Sequence, residues 1–320
     1  MKELLKRDYV ILDGAMGTNL FRKGLTSGEC PESWNLENPE KISEIHEGFV
    51  DAGSDIIVTN TFGGNKFRLK LHQLDSKVKE LNYAGAQIAR KCAGKKVFVA
   101  GSIGPSGEIL EPLGNLSYEL AVKGFAQQSL ALAEGGVDML WLETFSDIKE
   151  LKAALEGSMK TGLPIVSTMS FDTAGKTMMG VSPHEFVSFI NKQPNVFAYG
   201  ANCGLGFDEL LQTVGEMQNA GGKNIVAKGN LGIPVFHHGL IKYNTTEKTL
   251  LDYAVKARNM GALFIGGCCG TEAKHIKKIK EILKISPYKY LQHKQNNSLK
   301  KEKKLSRRRR LKVDTKKNDN

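Results

Sequence analysis

Long apolar segments are missing from this sequence of 320 residues, although 41% of its residues are hydrophobic. No run approaches the ~20 apolar residues that a helix needs to cross a bilayer, which argues against a membrane-spanning protein. The first ten residues, MKELLKRDYV, are charged and lack the apolar centre and cleavage site of a secretory signal peptide. These absences predict a soluble, cytoplasmic protein.

Cysteine and proline are also scarce, with five and nine residues respectively. An odd number of cysteines without a secretory context argues against a disulfide framework and favours reduced thiols. Cys30 and Cys92 have no distinctive placement, and we interpret them as buried, inert thiols. Cys203, Cys268 and Cys269 differ, because each follows an apolar run and adjoins glycine or a Cys-Gly pair.

The formal net charge of +11 is concentrated at the C-terminus. The segment from Lys294 to Asn320 holds twelve Lys and Arg residues against three Asp and Glu, and large apolar residues are nearly absent. Such a segment cannot bury enough apolar surface to offset its ordering entropy, so we predict a disordered basic tail over residues 287–320. Its charge is compatible with nucleic-acid binding, but the lack of aromatic residues for base stacking makes nucleic acid the less favoured partner.

Short apolar runs alternate with helical patterns of ten or more residues along the rest of the chain. This alternation predicts a parallel sheet flanked by helices. Eight such units in about 285 residues favour a closed (β/α)8 barrel over an open doubly wound sheet. We therefore predict one α/β barrel domain over residues 1–286. Its eight strands are expected at residues 9–12, 55–59, 97–100, 139–142, 164–169, 196–201, 225–228 and 262–265.

Barrel closure would bring three of the cysteines together. Chemistry in such barrels lies at the C-terminal ends of the strands, where Cys203 would end the sixth strand and Cys268 and Cys269 the eighth. Adjacent side chains of a regular strand point to opposite faces, so the pair can reach one ion only where glycines such as Gly270 let the backbone turn.

Three thiolates would leave one position open on a tetrahedral zinc ion, as in catalytic zinc sites. Such a centre is suited to activating a substrate thiol for alkyl transfer, because coordination removes the thiol proton. A purely structural zinc site is the alternative. That alternative predicts a protein that unfolds on chelation and gains no sulfur ligand from a substrate.

Four motifs resemble those of the zinc-dependent homocysteine S-methyltransferases, in that family's order. The first motif, DGAMGT, is most similar to the homocysteine-binding module of cobalamin-dependent methionine synthase. The resemblance covers roughly residues 5–285. It implies a (β/α)8 barrel that holds zinc on Cys203, Cys268 and Cys269 and methylates homocysteine to methionine. The motifs are DGAMGT at residues 13–18, ETF at 143–145, NCG at 202–204 and GGCCG at 266–270.

The resemblance also implies the substrate contacts. Asp13 and Glu143, carboxylates at the ends of the first and fourth strands, would bind the amino group of homocysteine. Amides of Gly14 and Ala15 would hold its carboxylate, since glycine permits close backbone approach. Asn230 lies in KGNLGIP, which departs from the family's Pro-Asn-Ala-Gly-like pattern. Its side-chain oxygen would occupy the fourth position on the metal until the substrate arrives.

The sequence leaves the methyl donor open. The first motif favours methylcobalamin, yet 320 residues leave no room for the folate- and cobalamin-binding modules of a complete synthase. Three alternatives follow: a stand-alone barrel served by a separate corrinoid protein, a truncated synthase, or a relative that uses S-methylmethionine, betaine or another small donor.

Overall fold

The computed structural model describes residues 2–237 and 240–291, with side chains described outside residues 235–242. Ten strands and eleven α-helices are found in this part of the chain. The strands are β1 Val10–Ile11, β2 Ile56–Val58, β3 Phe98–Ile103, β4 Met139–Phe145, β5 Ile165–Met169, β6 Val196–Cys203, β7 Ile225–Gly229, β8 Val235–His237, β9 Leu240–Lys242 and β10 Ala262–Gly267. The helices are α1 Met16–Arg22, α2 Trp34–Glu37, α3 Pro39–Asp51, α4 Lys66–Lys70, α5 Val78–Ala93, α6 Tyr118–Glu134, α7 Ile148–Met159, α8 Pro183–Ile190, α9 Phe207–Asn219, α10 Glu247–Asn259 and α11 Ala273–Ile285.

Eight parallel strands form one sheet in the order β1-β10-β7-β6-β5-β4-β3-β2. A parallel bridge between Leu12 and Ile56 joins the two ends of this order and closes the sheet into a barrel. The predicted (β/α)8 fold is therefore confirmed. The antiparallel hairpin of β8 and β9, inserted between β7 and α10, was not expected from the sequence.

The barrel strands alternate between two apolar environments, as side chains of successive residues must in a strand. One set fills the barrel interior together with Leu4, which precedes β1, and the other set packs against the surrounding helices. The interior set includes Val10, Leu12, Ile56, Val58, Ala100, Met139, Trp141, Val166, Ala198, Val226 and Phe264.

Towards the C-terminal ends of the strands, the inward-facing positions become polar. Stepping by two residues from the interior apolar positions reaches Ser102 on β3, Glu143 on β4, Thr168 on β5, Asn202 on β6 and Lys228 on β7. The same alternation that builds the apolar core therefore places five hydrogen-bonding side chains at one end of the barrel.

Helix α11 ends the barrel at Ile285, one residue before the predicted domain boundary. The buried guanidinium of Arg258 donates to the carbonyls of Leu283 at 2.9 Å, Ser286 at 3.1 Å and Pro287 at 3.0 Å, which fastens the end of this helix to α10. Most of the predicted basic tail, residues 292–320, lies outside the described residues. In the described part of the chain, every helix is too short or too polar to cross a bilayer.

Candidate active site

Three cysteines meet at the C-terminal end of the barrel. Cys203 is the last residue of β6, and Cys268 and Cys269 directly follow β10, with only β7 between the two strands. The Sγ atom of Cys203 lies 2.9 Å from that of Cys268 and 4.0 Å from that of Cys269. All three sulfur atoms lie within 4.8 Å of one another, and all three thiols are free.

Turns at the two strand ends bring these sulfur atoms together. Cys203 has a positive φ of 59°, a left-handed conformation that non-glycine residues rarely adopt, so the chain bends at the cysteine itself. After Cys269, Gly270 has a φ of 86°, and a Cβ atom there would lie 2.7 Å from the ring of Tyr243. Glycine is thus required by both backbone angle and space at this turn.

The three sulfur atoms fit a tetrahedral metal ion. Two thiolates that each lie about 2.3 Å from zinc are about 3.8 Å apart in tetrahedral geometry, close to the 4.0 Å between Cys203 and Cys269. The 2.9 Å pair would have to open by roughly 1 Å to reach the same geometry. Hydrogen bonds from Cys203 and Cys268 lower the pKa of the Cys269 thiol, whereas the pKa values of the Cys203 and Cys268 thiols are raised. Without a metal ion the cluster therefore favours one thiolate, shared with two thiols.

A cavity of about 260 Å³ adjoins the cysteines. Four charged side chains share its wall with the sulfur atoms: Asp13, Glu32 and Lys228, which are buried, and Glu143, which is half-buried. The rest of the wall comes from the loops after β1 and β2, the start of α1, Pro31, Val58, Ser102 and Thr144. The three thiols and the four charged side chains therefore border one small cavity.

Asp13 is already paired within the protein. Its Oδ1 atom accepts a hydrogen bond from Lys228 Nζ at 2.9 Å, and its Oδ2 atom accepts one from the Val58 amide at 2.7 Å. Burial lowers the pKa of Lys228, but the negative charges of Asp13 and Glu143 outweigh this effect and raise it above its usual value. Lys228 therefore stays charged in the cavity wall.

Glu143 has a freer carboxylate. One oxygen accepts a hydrogen bond from the Ser102 hydroxyl, and its other oxygen has no hydrogen-bond partner among the described residues. Burial raises the pKa of Glu143 to about 7, although Lys228 and Ser102 act in the opposite direction. The residue can thus carry a negative charge near neutral pH and still accept a hydrogen bond from a ligand.

The backbone of Gly14 and Ala15 packs tightly against the loop that follows β10. The Ala15 amide donates to the carbonyl of Thr271 at 3.0 Å, so this amide is engaged within the protein rather than open to the cavity. A Cβ atom on Gly14 would lie 2.6 Å from the same carbonyl oxygen. Glycine at position 14 therefore allows the β1–α1 loop to close onto Thr271.

Asn230 lies beside the cysteines but is not among the residues that line the cavity. Its Oδ1 atom accepts a hydrogen bond from the Cys269 amide at 3.0 Å, and its Nδ2 atom donates to the Gly204 carbonyl at 2.8 Å. The side chain thereby connects the turn after Cys203 to the turn that carries Cys269. In this arrangement Asn230 positions the cysteine loops.

Known proteins were compared with this chain. The sequence profile of the family described as homocysteine S-methyltransferase matches residues 10–283. The chain belongs to this family. Methionine synthases of Mycobacterium tuberculosis and Mycobacterium leprae are each 28% identical to it over 296 residues, which is 87% of this chain. The match covers 25% and 24% of those two proteins, so the chain spans about a quarter of their length.

Solved structures agree with the family assignment. The oxidized form of the homocysteine methyltransferase MmuM from Escherichia coli superposes with a TM-score of 0.72 at 25% identity, covering 86% of this chain and 96% of that one. Its metallated form has a TM-score of 0.74 at 23% identity and covers 88% and 98% of the two chains. The methyltransferase family predicted from the four motifs is thus confirmed.

Two polar residues of this homocysteine S-methyltransferase barrel were missed by the sequence analysis. Lys228 was treated as part of a strand, although its position two residues after the interior Val226 could have indicated that it points into the barrel. Asn202 was noted only as a neighbour of Cys203. Its Oδ1 atom accepts hydrogen bonds from the Thr144 amide at 3.0 Å and the Thr168 hydroxyl at 2.6 Å, which ties β6 to β4 and β5.

Proposed function

We propose that this barrel transfers a methyl group to the sulfur of homocysteine, giving methionine, with zinc bound by Cys203, Cys268 and Cys269. The observation that carries the proposal is the cluster of three thiol sulfurs within 4.8 Å, facing a cavity with buried charges. In the reaction a carbon–sulfur bond forms, the bond between methyl and donor breaks, and the thiol proton is released.

The cysteines would hold zinc through three thiolates, and bound zinc would favour the thiolate form of a substrate thiol at neutral pH. The protein's own residues supply orientation. Glu143 offers a carboxylate oxygen to the substrate ammonium, while Asn230 and Asn202 keep the cysteine-bearing turns in place. Fixing the nucleophile in this way reduces the entropic cost of reaching the donor's methyl carbon.

For the methyl donor we propose a methylcorrinoid carried by a separate protein or module. Support comes from the sequence similarity to methionine synthases, which are about four times as long as the matched segment, and from the resemblance of DGAMGT to the cobalamin-dependent branch. The alternative is a small donor, for which the similarity to the homocysteine methyltransferase MmuM provides support.

The donor is tested with the full zinc-loaded chain, homocysteine and three donors in parallel: methylcobalamin, S-methylmethionine and betaine. Methionine formed from methylcobalamin alone is the expected result. Methionine formed only from S-methylmethionine or betaine would reject the corrinoid while leaving homocysteine methylation intact. No methionine from any donor, with zinc bound, would count against the proposed reaction.

Removal of the metal ion with a chelator distinguishes a catalytic role of the ion from a structural one. The three cysteines lie at strand ends and in turns, whereas the apolar core is built without them. Removal of zinc is therefore expected to abolish homocysteine binding while leaving the far-ultraviolet circular dichroism spectrum of the barrel nearly unchanged. Unfolding on chelation would instead favour a structural metal.

A further inference from the structure

We propose that Lys228 binds the carboxylate of the substrate, so that the cavity recognises an α-amino acid thiol by both of its charged groups. The inference rests on the proposed function and specifies how that site selects its substrate. It also assigns Asp13 a different task from the one expected of it, because Asp13 would hold Lys228 rather than the substrate ammonium.

The ammonium group of Lys228 has unused hydrogen-bonding capacity. It carries three N–H donors, and among the described residues it makes one hydrogen bond, to Asp13. The ring of Trp141, with its centroid 5.5 Å from Nζ, offers a further but weaker contact. The side chain is only 4% exposed and lines the cavity, so its remaining donors are shielded from bulk water. Buried donors without acceptors are unfavourable, and an anionic ligand would satisfy them.

The three carboxylates that line the cavity differ in the same respect. Both oxygens of Glu32 accept hydrogen bonds, one from the Gly63 amide and one from the Cys30 thiol. Both oxygens of Asp13 already accept hydrogen bonds, and Lys228 balances its charge. Glu143 keeps an oxygen without a partner among the described residues. The cavity therefore presents one available cationic donor and one available anionic acceptor, which complement the carboxylate and the ammonium of an amino acid.

Other candidates for the carboxylate are weaker. Lys228 is the one cationic side chain among the described residues that line the cavity. Two amides were expected from the sequence to contact the carboxylate. The amide of Ala15 donates to Thr271 instead, whereas that of Gly14, a neutral donor, has no hydrogen-bond partner among the described residues. A charge-assisted hydrogen bond to a buried ammonium is also stronger than one to a neutral amide.

The test measures thiol binding rather than turnover. The full chain is loaded with Co(II), and a thiol that joins the metal is detected by the change in its sulfur-to-cobalt absorption. Homocysteine is compared with 3-mercaptopropylamine, which lacks the carboxylate, and with 4-mercaptobutyrate, which lacks the ammonium. We expect the wild-type chain to bind homocysteine about 10- to 100-fold more tightly than 3-mercaptopropylamine. In Lys228→Met this ratio should fall to about one, while the preference for homocysteine over 4-mercaptobutyrate persists.

Two further variants keep the test decisive. Asp13→Asn combined with Lys228→Met removes both members of the buried pair, so it avoids an uncompensated charge that could prevent folding, and it should show the same loss of carboxylate preference. Lys152→Met is the matched control, because Lys152 also lies over an aromatic ring, that of Tyr118, but on the exposed face of α7. Its ratio should equal that of the wild type.

The outcomes separate this inference from the function on which it rests. If Lys228→Met and the double variant weaken homocysteine and 3-mercaptopropylamine by the same factor, Lys228 only balances Asp13 and the inference is overturned. If none of the thiols changes the Co(II) spectrum of the wild-type chain, the proposed function fails and this inference fails with it.

Discussion

The side chain of Asn230 offers a sharp test of how the cysteines are held. From the sequence we expected its side-chain oxygen to occupy a position on the metal. In the structure this oxygen accepts a hydrogen bond from the Cys269 amide at 3.0 Å. The amide nitrogen of the same side chain donates to the Gly204 carbonyl at 2.8 Å. Asn230→Ala removes both hydrogen bonds and leaves two backbone groups unsatisfied beside the cysteines.

The magnitude follows from these two bonds. Each contributes about 0.5–1.5 kcal/mol to stability, so the free energy of unfolding should fall by about 1–3 kcal/mol. For a domain of this size that corresponds to a decrease in Tm of roughly 2–10 °C. Because the variant frees both cysteine-bearing turns, zinc affinity should fall about 10- to 100-fold, as is typical when a residue that supports metal ligands is lost.

Asn230→Asp distinguishes a bridging residue from a metal ligand. A carboxylate is a stronger zinc ligand than an amide oxygen, so direct ligation predicts tighter zinc binding in this variant. A bridging role predicts weaker binding, because an aspartate oxygen would face the Gly204 carbonyl, which is also an acceptor.

The assay for both variants is competition for zinc with a chromophoric chelator, accompanied by thermal unfolding. Asn191→Ala serves as the control, since it removes a hydrogen bond from the Tyr199 hydroxyl away from the cysteines. It should leave zinc affinity unchanged. Unaltered zinc affinity in Asn230→Ala, or tighter binding in Asn230→Asp, would refute the bridging role.

Three further outcomes are expected. Cys268→Ser should abolish stoichiometric zinc binding, measured by metal analysis after dialysis, whereas Cys92→Ser should retain it because Cys92 lies apart from the cluster. Homocysteine affinity, measured by calorimetry, should fall more steeply below about pH 7 than release of the thiol proton alone requires, since burial raises the pKa of Glu143 to that value and protonation removes its charge; Glu143→Gln should keep only the dependence that the thiol causes. The free energy of unfolding should decrease by up to about 3 kcal/mol as the pH falls from 6.5 towards 4, because burial lowers the pKa of His46 from 6.5 to about 4. The unfolded chain then binds a proton that the folded chain does not, and His46→Leu should remove this dependence in denaturant titrations.

The barrel could be predicted because its signals are local. Each apolar run and each helical pattern extends over a few residues, and each of the eight predicted strands overlaps one strand of the barrel. Strand ends were less accurate, and β3, β4, β6 and β10 continue two or three residues beyond the predicted limits. The extensions of β3, β4 and β6 carry polar residues and that of β10 is two glycines, so an apolar pattern could not reveal them.

The contacts within the site could be predicted only in part. The convergence of Cys203 with Cys268 followed from the closed sheet, and their role as zinc ligands stays a prediction. The pairing of Asp13 with Lys228 joins residues 215 positions apart. The sequence around either residue does not indicate that the two side chains are in contact. The fold makes this contact, because β1 and β7 are separated only by β10.

Backbone strain at this end of the barrel lies beside the residues to which we assign chemistry. Thr144 has a φ of 66°, and Cys203 one of 59°, conformations that cost about 1 kcal/mol or more for residues with a Cβ atom. Thr144 directly follows Glu143, and the pairing of β4 with β5 is irregular between Leu142 and Phe145.

The side chain of Asn202 connects these two strained positions. Its Oδ1 atom accepts a hydrogen bond from the Thr144 amide at 3.0 Å, and its Nδ2 atom donates one to the Thr144 hydroxyl at 2.7 Å. Asn202 also immediately precedes Cys203 in the chain. Its Nδ2 atom also lies 3.9 Å from the sulfur of Cys268. One buried amide thus holds the bend that orients Glu143 and the bend that orients Cys203, and it contacts a third member of the site. Both bends therefore depend on this one side chain, and its loss would release the backbone beside Glu143 and at Cys203 together.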